Sequence, residues 1–510
     1  MQTEVLIVGA GPTGLALACQ LLRFGIDFVI IDRNEGTTPH SKAIGVQART
    51  LEIYEQVGLA GDLIRAGTIA ERARMLEGGK IRGEVELAGI GKGMSPYPFL
   101  LLVEQGKHEK LLFDHITRSG GRVEWQTELE GFFQDDTGVR ASVKNADGET
   151  KTIETRFMVG CDGASSRVRQ ELGLEFAGST FERLFYVADV EIDWDFSHDS
   201  LYVCLAEHTI TAFFPMTGSE RNFRIVGTFP ERHERDPAEI LYDEIEKQIV
   251  ADTELELDIT AVNWFSIYKV HSRHVEKFSV GRCFLAGDSA HIHTPAGAQG
   301  MNTGIQDGYN LAWKLAAVLR YGSSGEILAS YNEERLDNAR RLLKTTDRFF
   351  QLGASPDPVI SFFRTKIVPY VANLVVGLGV VQRAIFPLVS QIGIRYRKSP
   401  LSQGDESFAV RAGDRMPWFE VDGHSVYDQL HAPKFHLLIF DDGRTELASA
   451  EGGIHEFVDE HRIPLYPHIT EIFGTEETFQ ALLRPDNYIA RLEQGASSEK
   501  VRKYLEKVLA

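Results

Sequence analysis

Three glycines near the amino terminus, Gly9, Gly11 and Gly14, stand at G-x-G-x-x-G spacing. An apolar run of the buried-strand type (4–8) precedes them, and a segment with helical spacing of its apolar residues (13–24) follows. Residues of these types in this order suit a bound dinucleotide. The first glycine permits a tight turn, the second lets backbone approach a pyrophosphate, and the third lets helix and strand pack closely. The helix start, with Pro12 and Thr13, offers free N–H groups and a positive dipole end to phosphates. Asp32 closes the next apolar run (27–31), where a carboxylate should hold the adenosine ribose hydroxyls. A bare turn in an apolar context would leave strand, helix and acid unexplained. The motif alone does not separate FAD from NAD.

A second segment, 281–302, reads GRCFLAGDSAHIHTPAGAQGMN. A strand-like run (283–286) delivers Gly287-Asp288, a Pro/Gly-rich turn follows, and a helix opens near Asn302. Paired with the first motif, it points to a nucleotide cofactor that starts at one site and finishes at the other. Between them, a strand-like run (157–161) ends at Asp162-Gly163.

These segments carry a resemblance to the FAD-dependent aromatic hydroxylases, the class A flavoprotein monooxygenases of the p-hydroxybenzoate hydroxylase fold. The matching motifs are Gly9-Ala-Gly-Pro-Thr-Gly-Leu15 with Ile31-Asp-Arg33, Cys161-Asp-Gly-Ala-Ser-Ser-Arg-Val-Arg169, and Gly287-Asp288 within 281–315. Arg49-Thr-Leu-Glu-Ile-Tyr54, and Gln105 followed by Glu109, are lesser matches. Together they reach to about residue 395. The resemblance implies a Rossmann-like α/β fold and a role for each matched residue. Asp32 would hold the ribose, Arg33 would lie by the adenine, and Gln105 would reach the ribityl or pyrophosphate region. Leu129 joins this cofactor-binding set. Asp288 would bond the ribityl chain or pyrophosphate oxygens, and Pro295 would border the flavin ring. Gly297, Gln299, Gly300, Met301 and Asn302 would present backbone N–H groups to the flavin N1–C2 edge, where a helix amino terminus stabilises negative charge. Asp162 would support the pyrophosphate and a transient nicotinamide cofactor, or else simply order its turn. Arg167 and Arg169 beyond it read as solvated charges. Lys42 stands where many relatives carry arginine near the pyrophosphate, keeping the charge and losing the bidentate geometry. Ser289 replaces a usual alanine.

The implied activity is hydroxylation of an aromatic, phenolic or polyketide-like small molecule. In the family that the chain resembles, NADPH or NADH would reduce FAD, O₂ would add at flavin C4a, and the hydroperoxide would pass one oxygen to the ring while the other leaves as water. The flavin of this group swings between exposed and buried positions, with which the Gly-rich turn at 297–300 is consistent. Alternation places Phe213 and Pro215 on one face of a strand and Phe214 on the other, and one face would line the pocket. Tyr202, Phe213 and Pro215 are the substrate candidates, with Trp264 and Tyr268 behind them; plain sheet core is the competing reading. His208, His271 and Tyr268 are the bases within view, each equally at home as a structural residue, so no catalytic acid or base is assigned.

The elements that must position these residues form a discontinuous pattern. FAD-binding segments (1–180 and 278–395, the latter with a mostly helical extension) flank a β-rich insertion (181–277) interrupted by one helix. Residues 72–99 read as irregular and Gly-rich, and 122–154 as four short antiparallel strands. A turn-rich linker (398–404) leads to a tail, 405–510, with strand-like and helical runs. Tyr396-Arg-Lys-Ser-Pro-Leu401, Ala412-Gly-Asp-Arg-Met-Pro417 and Arg484-Pro-Asp-Asn-Tyr488 resemble the thioredoxin-like carboxy-terminal domain of the phenol and polyketide hydroxylase branch. That tail contains no cysteine, so dithiol chemistry is excluded and a structural or dimer-contact role is expected.

Composition is that of a globular chain: 43% hydrophobic and 25% charged residues, with room for two or three domains. A formal charge of −19 discourages nucleic-acid binding, which needs a basic surface. Four scattered cysteines make neither a disulfide scaffold nor a zinc site, and a reduced cytoplasmic setting is the default expectation. No metal is expected. The apolar stretch 367–394 is interrupted by Arg383, and its longest uncharged run is short of a bilayer span, so buried or homodimer-facing helices are preferred to stable membrane insertion. The alternatives on the same scaffold are a flavin-dependent reductase or halogenase, or a membrane-associated epoxidase or Baeyer–Villiger-type oxygenase. The chain lacks the WxWxIP segment of halogenases.

Overall fold

In the computed structural model, residues 1–39, 43–206, 209–232, 236–294, 296–353, 379–444 and 455–509 are described. Of the stretch 367–394, for which buried or dimer-facing helices are expected, 367–378 lie outside them, and the rest opens with the helix Gly379–Val389. Among the described residues no helix is long and apolar enough to cross a membrane.

A sheet rich in buried β-branched residues organises the cofactor half. Gln2–Val8 pairs in parallel with Phe28–Ile31 on one side and Thr150–Gly160 on the other, and Thr150–Gly160 pairs in parallel with Cys283–Leu285. The register aligns Ile31, Val8, Gly160 and Leu285 in one row across the sheet. The segments carrying Asp32, the glycine motif, Asp162 and Gly287-Asp288 therefore all leave from the same edge. Parallel α/β sheets bind ligands at the carboxyl ends of their strands for this reason.

Two readings of 122–154 change. Arg122–Glu124 pairs in parallel with Phe28–Ile31 rather than joining an antiparallel hairpin. Thr150–Gly160 is one continuous strand: its first half pairs with the Val139–Lys144 hairpin arm, its second half lies at the sheet centre. Half-exposed alternation in the first part and a fully apolar second part made one element look like two.

The second sheet is dominated by two antiparallel 17-residue strands, Ala177–Asp193 and Asp258–His274. Ser200–Leu205, Ile210–Pro215 and Asn222–Arg232 complete its middle. The stretch read as irregular contributes as well. Arg72–Glu77 and Lys80–Glu86 form a hairpin that extends this sheet through a parallel pairing to Ser200–Leu205. Gly78 and Gly79, at φ 58° and 67°, make its turn. Charged residues on the exposed face masked the alternation.

The helix Tyr242–Thr253 covers one face of this sheet, sending Ile245 and Ile249 into a core with Tyr202, Phe213, Phe223 and Ile225. The other face meets the cofactor half.

The carboxy-terminal unit is a five-stranded mixed sheet with the helices Pro467–Phe473 and Ser498–Leu509. Its core includes Phe440, Phe473 and Phe479. All four cysteines of the chain are buried and free.

Two outcomes follow. Phe213→Ala should lower unfolding stability by about 3–5 kcal/mol, the usual range for emptying a sealed aromatic site, and leave FAD affinity within twofold; urea melts with and without FAD check both. The second concerns acid. Burial pushes His108, His293 and His436 down from 6.5 to about 4. Each is neutral when folded and charges on unfolding, so the unfolded chain binds more protons between those values. Stability should be full above pH 6.5 and fall on acidification towards pH 4, by up to about 3 kcal/mol per histidine. A melting temperature that stays flat over that window would contradict it.

Candidate active site

The glycines of the first motif are required for different reasons. Gly9 has φ 108°, and a Cβ there would sit 2.4 Å from the Cys161 carbonyl oxygen. At Gly14 a Cβ would meet the Gly9 carbonyl oxygen at 2.0 Å. Gly11 is unlike both: nothing lies within 4 Å of its Cβ position, so the space beside it is open for a ligand. Gly11 also caps the nucleotide helix, Pro12–Arg23, without a side chain, with Pro12 in the first turn. The backbone donors of that turn thus face the cleft without a protein acceptor from the cap.

A cleft of about 310 Å³ runs along the row of strand ends. Gly9, Gly11, Asp32, Arg33, Gln105, Leu129 and Asp162 all line it. Asp32 accepts from the Ala10 amide at 2.7 Å and the Asn34 amide at 2.8 Å, which fixes its carboxylate at the cleft wall. Gln105 donates to Glu109 at 2.7 Å, and Glu109 in turn accepts from the Thr38 amide. Asp162 accepts from the Arg167 and Val168 amides with one oxygen. Its other oxygen, Oδ1, is buried with no partner. Burial raises the Asp162 carboxyl above its usual range, partly offset by the nearby Ser166 side chain and by these amides. An orphaned acceptor beside an open glycine and an uncapped helix start fits a polyhydroxylated, phosphorylated group such as FAD.

The walls of the cleft include three residues outside any motif, Thr38, Trp125 and Thr127, together with Cys161, Ser165 and Arg167 of the Cys161–Arg169 motif. Trp125 and Thr127 come from the connection after Arg122–Glu124, tied to the site because the Thr127 amide donates to the Asp32 carbonyl. No local spacing announces that crossing. Arg169 is not a solvated charge. It is buried, lies 4.0 Å above the Phe176 ring, and donates to the carbonyls of Ser289 and Ala164. It thereby binds the Asp162-Gly163 turn to the Gly287-Asp288 turn. Arg167 stays exposed and pairs with Glu171.

The second half of the site closes over the nucleotide helix. Gly287, at φ 63°, and Gly304 both pack on Thr13, where a Cβ would meet the threonine hydroxyl at 2.5 and 2.3 Å. Asp288 is exposed in the short Gly287–Ser289 turn above it. Gly297 (φ 75°) and Ala298 (φ 53°) form the closing turn, and Gly300 starts the long clamp helix, Gly300–Tyr321. The Gln299 side chain is largely buried, and Met301 is partly buried against the main core. Asn302 is fully buried and holds four groups at once. It accepts from the Gln47 amide (2.9 Å) and the Thr50 hydroxyl (2.7 Å), and donates to the carbonyls of Gly45 (3.0 Å) and Ala298 (2.7 Å). Its side chain is thus committed to shaping the turn. Lys42, Pro295 and His208 lie outside the described residues.

The substrate candidates need correction. Tyr202 and Phe213 are cross-strand neighbours, each 0% exposed, in the core under the Tyr242–Thr253 helix. Pro215 is buried opposite Phe223 of the same core. That helix gives the outward face its partner, so these side chains point away from the closing turn. Phe214 emerges on the other face, among Ile44, Leu100, Leu102, Leu201 and Met216. This apolar face adjoins the closing turn, since Gly45 packs on Ala298 and on Leu100. Arg224 lies on it too, paired with Asp189 at 2.6 and 2.7 Å and donating to the Ala43 carbonyl. Tyr268 stacks on Phe185, and burial pushes its hydroxyl up to about 12, so it stays protonated at neutral pH. His271 bonds Thr180 on the sheet surface. Among the described residues no cluster suits a metal ion.

Gly11 and Gly14 give a matched test. Gly11→Ala should leave apoprotein melting unchanged and weaken FAD binding about tenfold, because only the ligand occupies that space. Gly14→Ala should destabilise the apoprotein itself through its clash with Gly9. Equal behaviour of the two variants in melting and in flavin titration would refute the assignment.

A family description, FAD binding domain, matches residues 2–346. A flavin-dependent monooxygenase of Mycobacteroides abscessus is 32% identical over 99% of this chain and 100% of that protein. The 6-methylpretetramide 4-monooxygenase of Streptomyces rimosus is 31% identical over 97% of this chain and 91% of that one. Among solved structures, the OxyS anhydrotetracycline hydroxylase from Streptomyces rimosus superposes with a TM-score of 0.79 at 27% identity, covering 100% of this chain and 99% of that one. With the cleft, the row of strand ends and the closing turn in place, the chain belongs to the FAD-binding-domain family and is a flavin-dependent monooxygenase.

Proposed function

We propose that the protein uses NADPH or NADH and O₂ to hydroxylate an aromatic, phenolic or polyketide-like molecule. The observation that carries this reading is the juxtaposition of the closing turn with the apolar inner face of the second sheet. The similarity to monooxygenases of tetracycline-type and chlorinated phenolic compounds supports the same substrate class.

When bound, FAD supplies the hydride acceptance and oxygen activation. The chain's own residues do the rest. Asp32 and Gln105 orient the nucleotide end, and the amides of the Pro12–Arg23 helix receive its phosphates. The start of the clamp helix, at Gly300–Asn302, would face the polar edge of the flavin with its positive dipole end. Ile44, Leu100, Leu201, Phe214 and Met216 exclude water from the reacting ring. Tyr268, still protonated, is not a base at neutral pH. The Arg224–Asp189 pair cancels its own charge and pins the 43–45 segment to the second sheet.

The test is oxidation of NADPH and NADH by the purified yellow protein in air, against phenols, hydroxyquinolines and polyketide quinones, with peroxide assayed in parallel. Ligand-stimulated oxidation, little peroxide and a product heavier by one oxygen are expected. Bound FAD with no ligand-stimulated oxidation across the panel would overturn the reading. In the same assay Phe214→Ala should raise the substrate KM roughly tenfold, the scale of one lost apolar contact in a pocket, with FAD affinity unchanged. Phe213→Ala should leave that KM alone.

A further inference from the structure

We propose that the carboxy-terminal unit is a working part of the cofactor site, its 484–488 loop acting through Tyr396, Arg335 and Asp307 to hold the Gly287-Asp288 turn in its FAD-binding form. The unit has no cysteine, so a thiol reaction does not explain its presence. Its contact with the cofactor half combines apolar packing, with Phe435 against Trp313 and Phe457 against Tyr321, and a connected run of buried polar and aromatic groups.

The run starts in the loop. Arg484, fully buried, bonds Glu334 at 2.6 and 3.1 Å and Asp486 at 2.9 and 2.5 Å. Its guanidinium lies 5.2 Å from the Tyr396 ring centroid, and Tyr488 packs against the same ring at 4.4 Å. The Tyr396 hydroxyl accepts from Arg335 at 2.7 Å. Arg335, on the brace helix Glu326–Gly353 beside Glu334, uses its remaining donors on Asp307 at 2.6 Å and the Thr303 carbonyl at 3.1 Å. Asp307 ends the run. It accepts from the Gly287 amide at 2.9 Å and lies 2.7 Å from His291 Nε2. The conformation of the cofactor turn is therefore set by a carboxylate that the carboxy-terminal unit helps to place.

A second route reaches the closing turn. The Asp486 carbonyl accepts from Arg49 at 2.9 Å, and Trp313 of the clamp helix donates to the Asp486 carboxylate at 3.0 Å. Arg49 sits in the helix Ala48–Glu55, and the preceding residue, Gln47, bonds both Asn302 and the Gly297 carbonyl. One loop thus supports the two turns that close on the cofactor. Apolar packing alone would dock the unit with tolerance for small shifts. Fully buried, charge-assisted hydrogen bonds tolerate few, because each displaced group loses its partner. Asp307, Arg335 and Tyr396 are positioning residues in this scheme.

Full-length Tyr396→Phe and Arg484→Met test it, by flavin titration of the apoprotein together with apoprotein melting and the visible flavin spectrum. The expected result is a FAD dissociation constant raised about tenfold and a shifted flavin band, while gel filtration, circular dichroism and apoprotein melting remain those of a folded chain. Arg484→Lys, which keeps the charge and loses the fork, should recover part of the affinity. Should Arg484→Met fail to fold, Tyr396→Phe, which removes one oxygen atom, decides alone. Wild-type affinity and spectrum in Tyr396→Phe would overturn the proposal. So would an equal loss in Tyr466→Phe, a control on the exposed side of the same unit where the hydroxyl bonds only Asp422 among the described contacts.

Discussion

Everything in the cofactor half converges on one helix that is buried on nearly every side while carrying polar residues. Asn302, Gln306, Asp307, Asn310 and Lys314 of Gly300–Tyr321 are each at most 2% exposed. A buried polar group without a partner is costly, and a buried charge more so. Each of these side chains therefore requires a partner from a different part of the chain. Asn302 takes the 45–50 segment, Asp307 takes Gly287, His291 and Arg335, and Lys314 takes Glu334 at 2.9 Å. Burial pushes Lys314 down to about 8, while Arg484 and Lys314 hold the Glu334 carboxyl below its usual range against its own burial. Removing one partner of such a group typically costs about 3–5 kcal/mol. The helix consequently acts less as a covering layer than as the hub on which the other elements are registered.

The cofactor end was legible because its requirements are local. A tight turn, a close approach and a helix start each select glycine within a few residues, and Asp32 closes the adjacent strand. The strand ends at Val8, Ile31, Gly160 and Leu285 were likewise visible as apolar runs broken by Gly or Asp. What linear spacing could not convey was which side of a sheet faces what. Phe213 and Phe214 are adjacent and equally aromatic, and only the helix at Tyr242–Thr253 decides that Phe213 is core. The wall at Trp125 and Thr127, and the burial of Arg169, depend on chain crossings far apart in sequence. The Arg72–Glu86 hairpin escaped because its exposed face is charged enough to hide a period of two.

The two sheets divide the work in a way that separates cofactor from substrate. The first fixes four segments through a parallel register that permits no slip, since a one-residue shift would turn every side chain to the wrong face. The second meets the closing turn through an apolar face and the neutral Arg224–Asp189 pair. Side chains on that face change the size and shape of the compartment without entering the hydrogen bonds that shape the cofactor turns.

The burial of all four thiols has a consequence for survival during turnover. A flavin oxygenase that releases peroxide instead of product bathes itself in an oxidant, and the thiolate is the form of cysteine that peroxide attacks. Burial raises Cys19, Cys161, Cys204 and Cys283 well above the ordinary thiol range, the last two to about 12. At neutral pH the folded chain offers peroxide almost no thiolate, although Cys161 lines the cofactor cleft itself. Oxidative wear should therefore begin elsewhere, at thioethers such as that of the partly exposed Met301 beside the closing turn.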